Sequence, residues 1–185
     1  GIQSEFIPVH TGMWANILTG GRGIWTFGNY FTILNIIDNR IEVENNGSVF
    51  DGIKVQDCVN SETGIDNFDI IDNPIETNGI HQRGIFIEST RFLEANENEI
   101  TQNSNITGFA AGILLHDASD LQIRNNTITG FDTDDHYPGI EVMNSEDVMY
   151  CCNTIDTTEI GMHFFGGCNG STIATTQFNH HARGL

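Results

Sequence analysis

The stretch Leu121-Gln122-Ile123-Arg124-Asn125-Asn126-Thr127-Ile128 decides the fold of this chain. Leu121 and Ile123 alternate with polar residues, and the unit Asn126-Thr127-Ile128 follows after two more polar positions. Side chains alternate across a strand, so the stretch predicts a short strand with one buried face. Asn is a residue that tolerates tight turns. The stretch therefore predicts two short strands separated by a bend.

The same phrase recurs along the chain. The other Asn-x-Ile units and a sixth, altered copy are Asn39-Arg40-Ile41, Asn73-Pro74-Ile75, Asn98-Glu99-Ile100, Asn153-Thr154-Ile155 and Thr176-Gln177-Phe178. Each segment opens on a Gly followed by an apolar residue, at Gly23, Gly52, Gly84, Gly112, Gly139 and Gly161, and Gly184 begins another. A recurring period of this length is typical of a solenoid.

The repeat predicts an all-β solenoid of about six to seven coils, joined by parallel strand ladders. Equivalent residues of neighbouring coils then stack about 4.8 Å apart. The Ile residues form apolar columns in a narrow core. The Asn residues sit at a bend, where we expect them to adopt the left-handed conformation and to hydrogen-bond to one another. The alternative is an antiparallel β-sandwich, which does not require residue types to recur in columns.

The Gly-Ile-x-Val openings at residues 52–55 and 139–142, together with residues 121–128, resemble the right-handed parallel β-helix family. This is the pectate-lyase-like superfamily, as found in bacterial surface and secreted proteins. The resemblance covers about residues 23–185 and implies a right-handed parallel β-helix. Because the repeat encodes packing, the resemblance is specific for the fold and not for an activity.

We expect residues 1–185 to form a single β-helix domain, with residues 1–22 irregular or forming a preceding coil. The opening of a coil at Gly184-Leu185 would expose an unpaired edge, so we expect a longer solenoid. The sequence contains no apolar run long enough to span a bilayer and no signal-peptide pattern. The resemblance implies an extracellular or cell-surface location.

The chain is strongly acidic, with 25 Asp and Glu against 7 Lys and Arg and a formal net charge of −18. Such a surface disfavours binding to nucleic acid, acidic membranes and polyuronates, which require clustered positive charge. Two interpretations of the charge stay open. It maintains solubility, or it binds Ca²⁺ outside the cell, since carboxylates are the preferred ligands of that ion.

Two places are candidate calcium sites. Asp38, Asp72 and Glu97 precede successive anchor Asn residues and are predicted to stack in a column. The loop Asp132-Thr133-Asp134-Asp135-His136 contains alternating aspartates, of which Asp132 and Asp134 are the candidate ligands. The loop lacks the Gly and the distant Glu of the EF-hand pattern. A solvated acidic loop is the alternative.

The cysteines and the candidate catalytic residues give weaker signals. Cys58, Cys151, Cys152 and Cys168 lack zinc-type spacing, and we interpret them as buried apolar fillers. A disulfide between Cys152 and Cys168 is the alternative. Asp134, Asp135 and His136 resemble the paired aspartates and nearby His of pectin-hydrolysing β-helices. The Asn-Thr-Asp, Gly-His-Gly and Arg-Ile-Lys elements of those enzymes are absent.

The outward positions of the opening strand form the candidate binding surface. Its members are Trp25, Phe27, Phe86, His116, His163 and Phe165. Aromatic residues on a flat sheet suit contact with sugars or proteins, unless loops or another domain cover them. We therefore predict a non-catalytic module for structural display or for binding a polysaccharide or another protein, and neighbouring β-helix coils of the same or another chain are further partners. A polysaccharide-cleaving glycosidase or lyase is the alternative.

Overall fold

The computed structural model describes residues 2–5, 10–14, 17–20, 23–28, 30–31, 33–44, 49–60, 68–78, 82–103, 110–131 and 137–184. In these ranges the chain forms strands and turns, with no helix. Accordingly, this part of the chain contains no helix that is long and apolar enough to cross a membrane.

The strands form three parallel sheets of seven strands each. Sheet 1 contains β1 (Ile2–Glu5), β4 (Ile24–Phe27), β8 (Phe50–Gln56), β12 (Gln82–Glu88), β15 (Ala111–His116), β18 (Pro138–Met143) and β21 (Ile160–Phe165). Sheet 2 contains β2 (His10–Trp14), β6 (Ile33–Ile37), β10 (Phe68–Ile71), β13 (Glu94–Asn96), β16 (Gln122–Arg124), β19 (Met149–Cys151) and β22 (Thr172–Ala174). Sheet 3 contains β3 (Ile17–Gly20), β7 (Arg40–Glu44), β11 (Pro74–Asn78), β14 (Glu99–Gln102), β17 (Thr127–Thr129), β20 (Thr154–Asp156) and β23 (Gln177–Asn179). A short pair, β5 (Tyr30–Phe31) and β9 (Val59–Asn60), lies outside these sheets.

Each coil contributes one strand to each sheet, and every described pairing between named strands is parallel. This confirms a parallel β-helix and excludes the antiparallel sandwich. The predicted Ile column of sheet 3 is also confirmed. Its register is Ile41, Ile75, Ile100, Ile128, Ile155 and Phe178. The five Ile residues of this column are buried in one continuous core.

The glycine that opens each coil is required by close approach between two sheets. A Cβ atom at Gly139 would lie 2.2 Å from Cγ2 of Ile155 and 2.8 Å from the carbonyl oxygen of Gly161. Gly52, Gly84, Gly112 and Gly161 have the same two kinds of neighbour. The backbone of sheet 1 therefore passes directly over the apolar column of sheet 3, and no larger residue fits there.

The Asn residues form the predicted ladder, but they are not the left-handed residues of the turn. Asn126 Nδ2 donates to Asn153 Oδ1 at 3.1 Å, and Asn98 Nδ2 donates to Asn126 Oδ1 at 2.9 Å. Positive φ occurs one residue earlier, for example 53° at Asn125. Our prediction of left-handed anchor Asn residues is therefore wrong. Because the anchor side chain points inward to reach the ladder, the preceding residue takes the sharp change of direction.

Candidate functional site

The outward face of sheet 1 carries aromatic residues at the β4 end. Trp25 and Phe27 are two residues apart on β4, so both side chains point away from the core. Their ring centroids are 6.2 Å apart, with an interplanar angle of 56°. Phe27 is 39% exposed. The pair offers an apolar platform to a ligand lying on the sheet.

A pocket of about 160 Å³ lies beside Trp25. It is lined by Ile24, Trp25, Val49, Asp51, Lys54 and Arg83. Arg83 binds Asp51 through two hydrogen bonds, Nε to Oδ1 at 2.5 Å and Nη2 to Oδ2 at 3.1 Å. The pocket therefore combines an aromatic wall with a fixed, planar pair of charged groups.

Phe86, predicted as part of the exposed surface, is buried. The Arg83 guanidinium carbon lies 3.9 Å from the Phe86 ring centroid, and Lys54 Nζ lies 4.8 Å from it. Phe86 also packs with Ala111 and Leu114 in a small apolar cluster outside the main core. Cation–π contacts of this kind hold the two basic side chains over the ring. Both basic side chains are also paired with carboxylates, Arg83 with Asp51 and Lys54 with Glu88, so the surface above Phe86 carries paired charges of both signs.

Two pairs of His and Glu lie farther along the same face, one on β12 and β15 and one on β18 and β21. His116 Nδ1 lies 3.4 Å from Glu88 Oε1, and His163 Nδ1 lies 3.4 Å from Glu141 Oε1. Burial raises the pKa of the Glu141 carboxyl, whereas His163 and Arg83 oppose this rise. A carboxyl group shifted in this direction beside an imidazole can exchange protons with a bound molecule. Phe165, 60% exposed, ends this strip of the sheet.

The predicted calcium column lies on the surface. Asp38, Asp72 and Glu97 are exposed and occupy left-handed turn positions with φ of 54°, 53° and 57°. Within the described ranges, no three His, Cys, Asp or Glu side chains form a group that could hold a metal ion. Asp132, Asp134, Asp135 and His136 lie outside the described residues. The geometry therefore gives the calcium prediction no support.

The four cysteines are free thiols in three environments. Cys58 is buried in the core, as predicted for an apolar filler. Cys168 is half-buried and packs against the core. Cys152 is exposed at a left-handed turn with φ of 62°, so our interpretation of it as a buried filler is wrong. The alternation around buried Tyr150 could have shown that Met149 and Cys151 point outward beside it.

Comparisons with known proteins agree with this architecture. The crystal structure of the periplasmic alginate epimerase AlgG matches with a TM-score of 0.57 and 16% sequence identity. The match covers 94% of this chain and 44% of that chain, so this chain spans less than half of the epimerase's length. At this identity the likeness shows the fold alone. A search of curated proteins finds no match.

A family model described as "Periplasmic copper-binding protein (NosD)" matches residues 15–183. The match includes all the coils from β4 onward. The word periplasmic in that description agrees with the predicted location outside the cytoplasm. The chain therefore belongs to the NosD family, and it folds as a right-handed parallel β-helix.

Proposed function

We propose that this chain is a periplasmic β-helix module that binds a linear polysaccharide along the outer face of sheet 1 without cleaving it. The observation that carries the proposal is the Trp25–Phe27 platform beside the Asp51–Arg83 pocket. Aromatic rings stack on the apolar faces of sugars, and paired charged groups hydrogen-bond to hydroxyls. Both kinds of contact are available side by side.

The shape of the face suits an extended ligand. The column from Trp25 to His163 crosses six strands, which corresponds to about 24 Å at the usual strand spacing. Loops of the described residues do not cover Phe27 or Phe165, which are both exposed. We choose a polysaccharide as the ligand class because a protein of similar fold, AlgG, is named an alginate epimerase. The same module would also display this surface to a partner.

Binding would be tested by calorimetric titration with oligomers of xylose, galactose and uronic acid. We expect Phe27→Ala and Trp25→Ala each to weaken binding by about threefold to tenfold, the equivalent of ~0.5–1.5 kcal/mol for aromatic stacking. Phe131→Ala is the matched control, because Phe131 is exposed but lies outside sheet 1. Equal effects of all three variants, or no binding of any oligomer, would contradict the proposal.

The polysaccharide-cleaving alternative is favoured by one observation, the Glu141–His163 pair with the raised pKa of Glu141. The same oligomers would be analysed for new reducing ends and unsaturated products. We expect none. Turnover that disappears in Glu141→Gln but persists in Glu159→Gln would establish the enzyme instead.

The family description supports a second function, the binding of copper. The described residues contain no group of three His, Cys, Asp or Glu that fits a metal ion. Methionine thioethers are further possible donors, and soft sulfur donors are the ones that select Cu(I). Among the described residues, Met149, Cys151 and Cys152 are the sulfur-containing side chains that we propose as copper ligands.

A further inference from the structure

Three sulfur-containing residues lie close together in sequence at the corner that joins sheet 2 to sheet 3. Met149 and Cys151 are two apart on β19 and flank the fully buried Tyr150, so both face outward. Cys152 follows at once and occupies the exposed, left-handed corner. We name Met149, Cys151 and Cys152 the sulfur corner.

The sulfur corner is not explained by packing. The equivalent corner position of other coils holds Asp38, Asp72, Glu97, Asn125 and Thr175, all polar residues that are also left-handed. A thiol adds little to a solvated turn, whereas Cys58 shows how this fold uses a thiol as core filler. Met149 is likewise a large apolar residue that is 38% exposed. Met149 and Cys152 lie on the same corner, separated by Tyr150 and Cys151, and together they point to a ligand.

A charged pair on the neighbouring strand lies beside Cys151. Arg124 pairs with Cys151 in register on the neighbouring strand, and its guanidinium is held by Glu94 at 2.6 Å. Cys151 and Cys152 are consecutive residues, so both thiols lie next to this Arg124–Glu94 pair. On the other side Cys151 stands in register with Ala174, a small side chain.

We propose that Cys151 and Cys152 bind one Cu(I) ion as thiolates, with the Met149 thioether as a third donor. This inference rests on the copper-binding function proposed above and names its site. Thiolates and thioethers are the soft ligands that select Cu(I), and binding releases the thiol protons to solvent. A structural zinc site needs four nitrogen or sulfur ligands, and the sulfur corner supplies three.

The test is an anaerobic titration of the reduced whole chain with Cu(I) against a coloured competing chelator. We expect one equivalent to bind, with ultraviolet sulfur-to-copper absorption as a second readout. Cys151→Ser and Cys152→Ser should each weaken binding by at least about 100-fold, since even outer-shell changes cost 10–100-fold. Met149→Leu should weaken it less. Cys168→Ser is the control and should bind as the unchanged chain does.

The titration distinguishes an error in the proposed site from an error in the proposed copper-binding function. If the unchanged chain binds Cu(I) and the Cys151→Ser, Cys152→Ser double variant binds it equally well, copper binding stands and this site is wrong. If the unchanged, reduced chain binds no Cu(I), both are wrong. A chain whose Cys151 and Cys152 remain joined as a disulfide after reduction would also overturn the proposal.

Discussion

A middle coil and the last described coil of this β-helix follow the same path but are buried to different extents. In the middle coil, Ile123 and Ile128 are fully buried. In the last described coil, Ile173 stands in the same column as Ile123 but is 39% exposed. Phe178, in register with Ile155, is half-buried. The repeat thus sets where a side chain points, whereas its burial requires a packed coil on both sides.

The largest contrast is expected at the opening glycines. Gly139→Val would force a side chain against Ile155 and the Gly161 carbonyl. Since a backbone carbonyl cannot be repacked, we expect a loss above the ~1–3 kcal/mol of ordinary overpacking, and little soluble protein. Gly184→Val is the matched control, because a Cβ there has no atom within 4 Å. Urea unfolding followed by circular dichroism measures both, and similar losses would contradict the close-approach argument.

The second contrast compares two core positions. Ile128→Ala removes a fully buried side chain and should lower the free energy of unfolding by about 2–5 kcal/mol. Ile173→Ala removes a partly exposed one and should cost less than ~1 kcal/mol. The same urea titrations give both values. If Ile173→Ala is as damaging as Ile128→Ala, the last coil is packed more tightly than its exposure indicates.

The third contrast concerns the polar ladder. Asn126→Ala removes the donors to Ala95 O and Asn153 Oδ1 and leaves the Asn98 amide without its acceptor. Buried groups left without partners cost about 1–3 kcal/mol. Thr176→Ala, at the same repeat position in the last coil, removes a hydroxyl that makes no hydrogen bond and should be nearly neutral. Thermal unfolding of the two variants would show the difference in stability. If Asn126→Ala is neutral, the Asn ladder does not stabilise the fold.

The smallest effect is expected at an exposed hydrogen bond of the last coils, between Asp156 and His180. The hydrogen bond with His180 lowers the pKa of Asp156 below its ordinary value of 3.8. A lowered folded-state pKa contributes stability above pH 4 or so, and the contribution disappears as the pH falls through the folded-state value. Asp156→Asn should therefore cost ~0.2–1 kcal/mol at pH 7 and less near pH 2. Unfolding at both pH values tests this, and a pH-independent cost would assign the effect to packing.

Much of the core could be predicted because each column depends on residue type alone. Ile41, Ile75, Ile100, Ile128 and Ile155 stack as their alignment requires, and Asn98 and Asn126 bond as predicted. The turn geometry could not be predicted in the same way. Both Asn125 and Asn126 tolerate a left-handed turn, and only the inward direction of the ladder decides which of them adopts it.

The candidate sites were less predictable, since they depend on neighbours outside the repeat. The sequence places Phe86 on the outward face, but only the packed structure shows that Arg83 and Lys54 cover it. The sequence contains Cys151 and Cys152 side by side, but their separation from the core depends on Tyr150 pointing inward. Spacing alone did not reveal the sulfur corner, because neither a zinc pattern nor a disulfide pattern is present.

The sequence by itself determined the architecture. A repeated alternation of apolar and turn residues can bury all of its apolar positions when the coils stack and share one core. Its coil number, parallel ladders and apolar columns follow from that repetition. Tertiary structure alone decided which outward side chains are exposed and which groups meet across coils. Those properties depend on the outward residues, which differ from coil to coil. Strands that are far apart in sequence lie next to one another only in the folded chain, so only the tertiary structure shows which outward residues form a common surface.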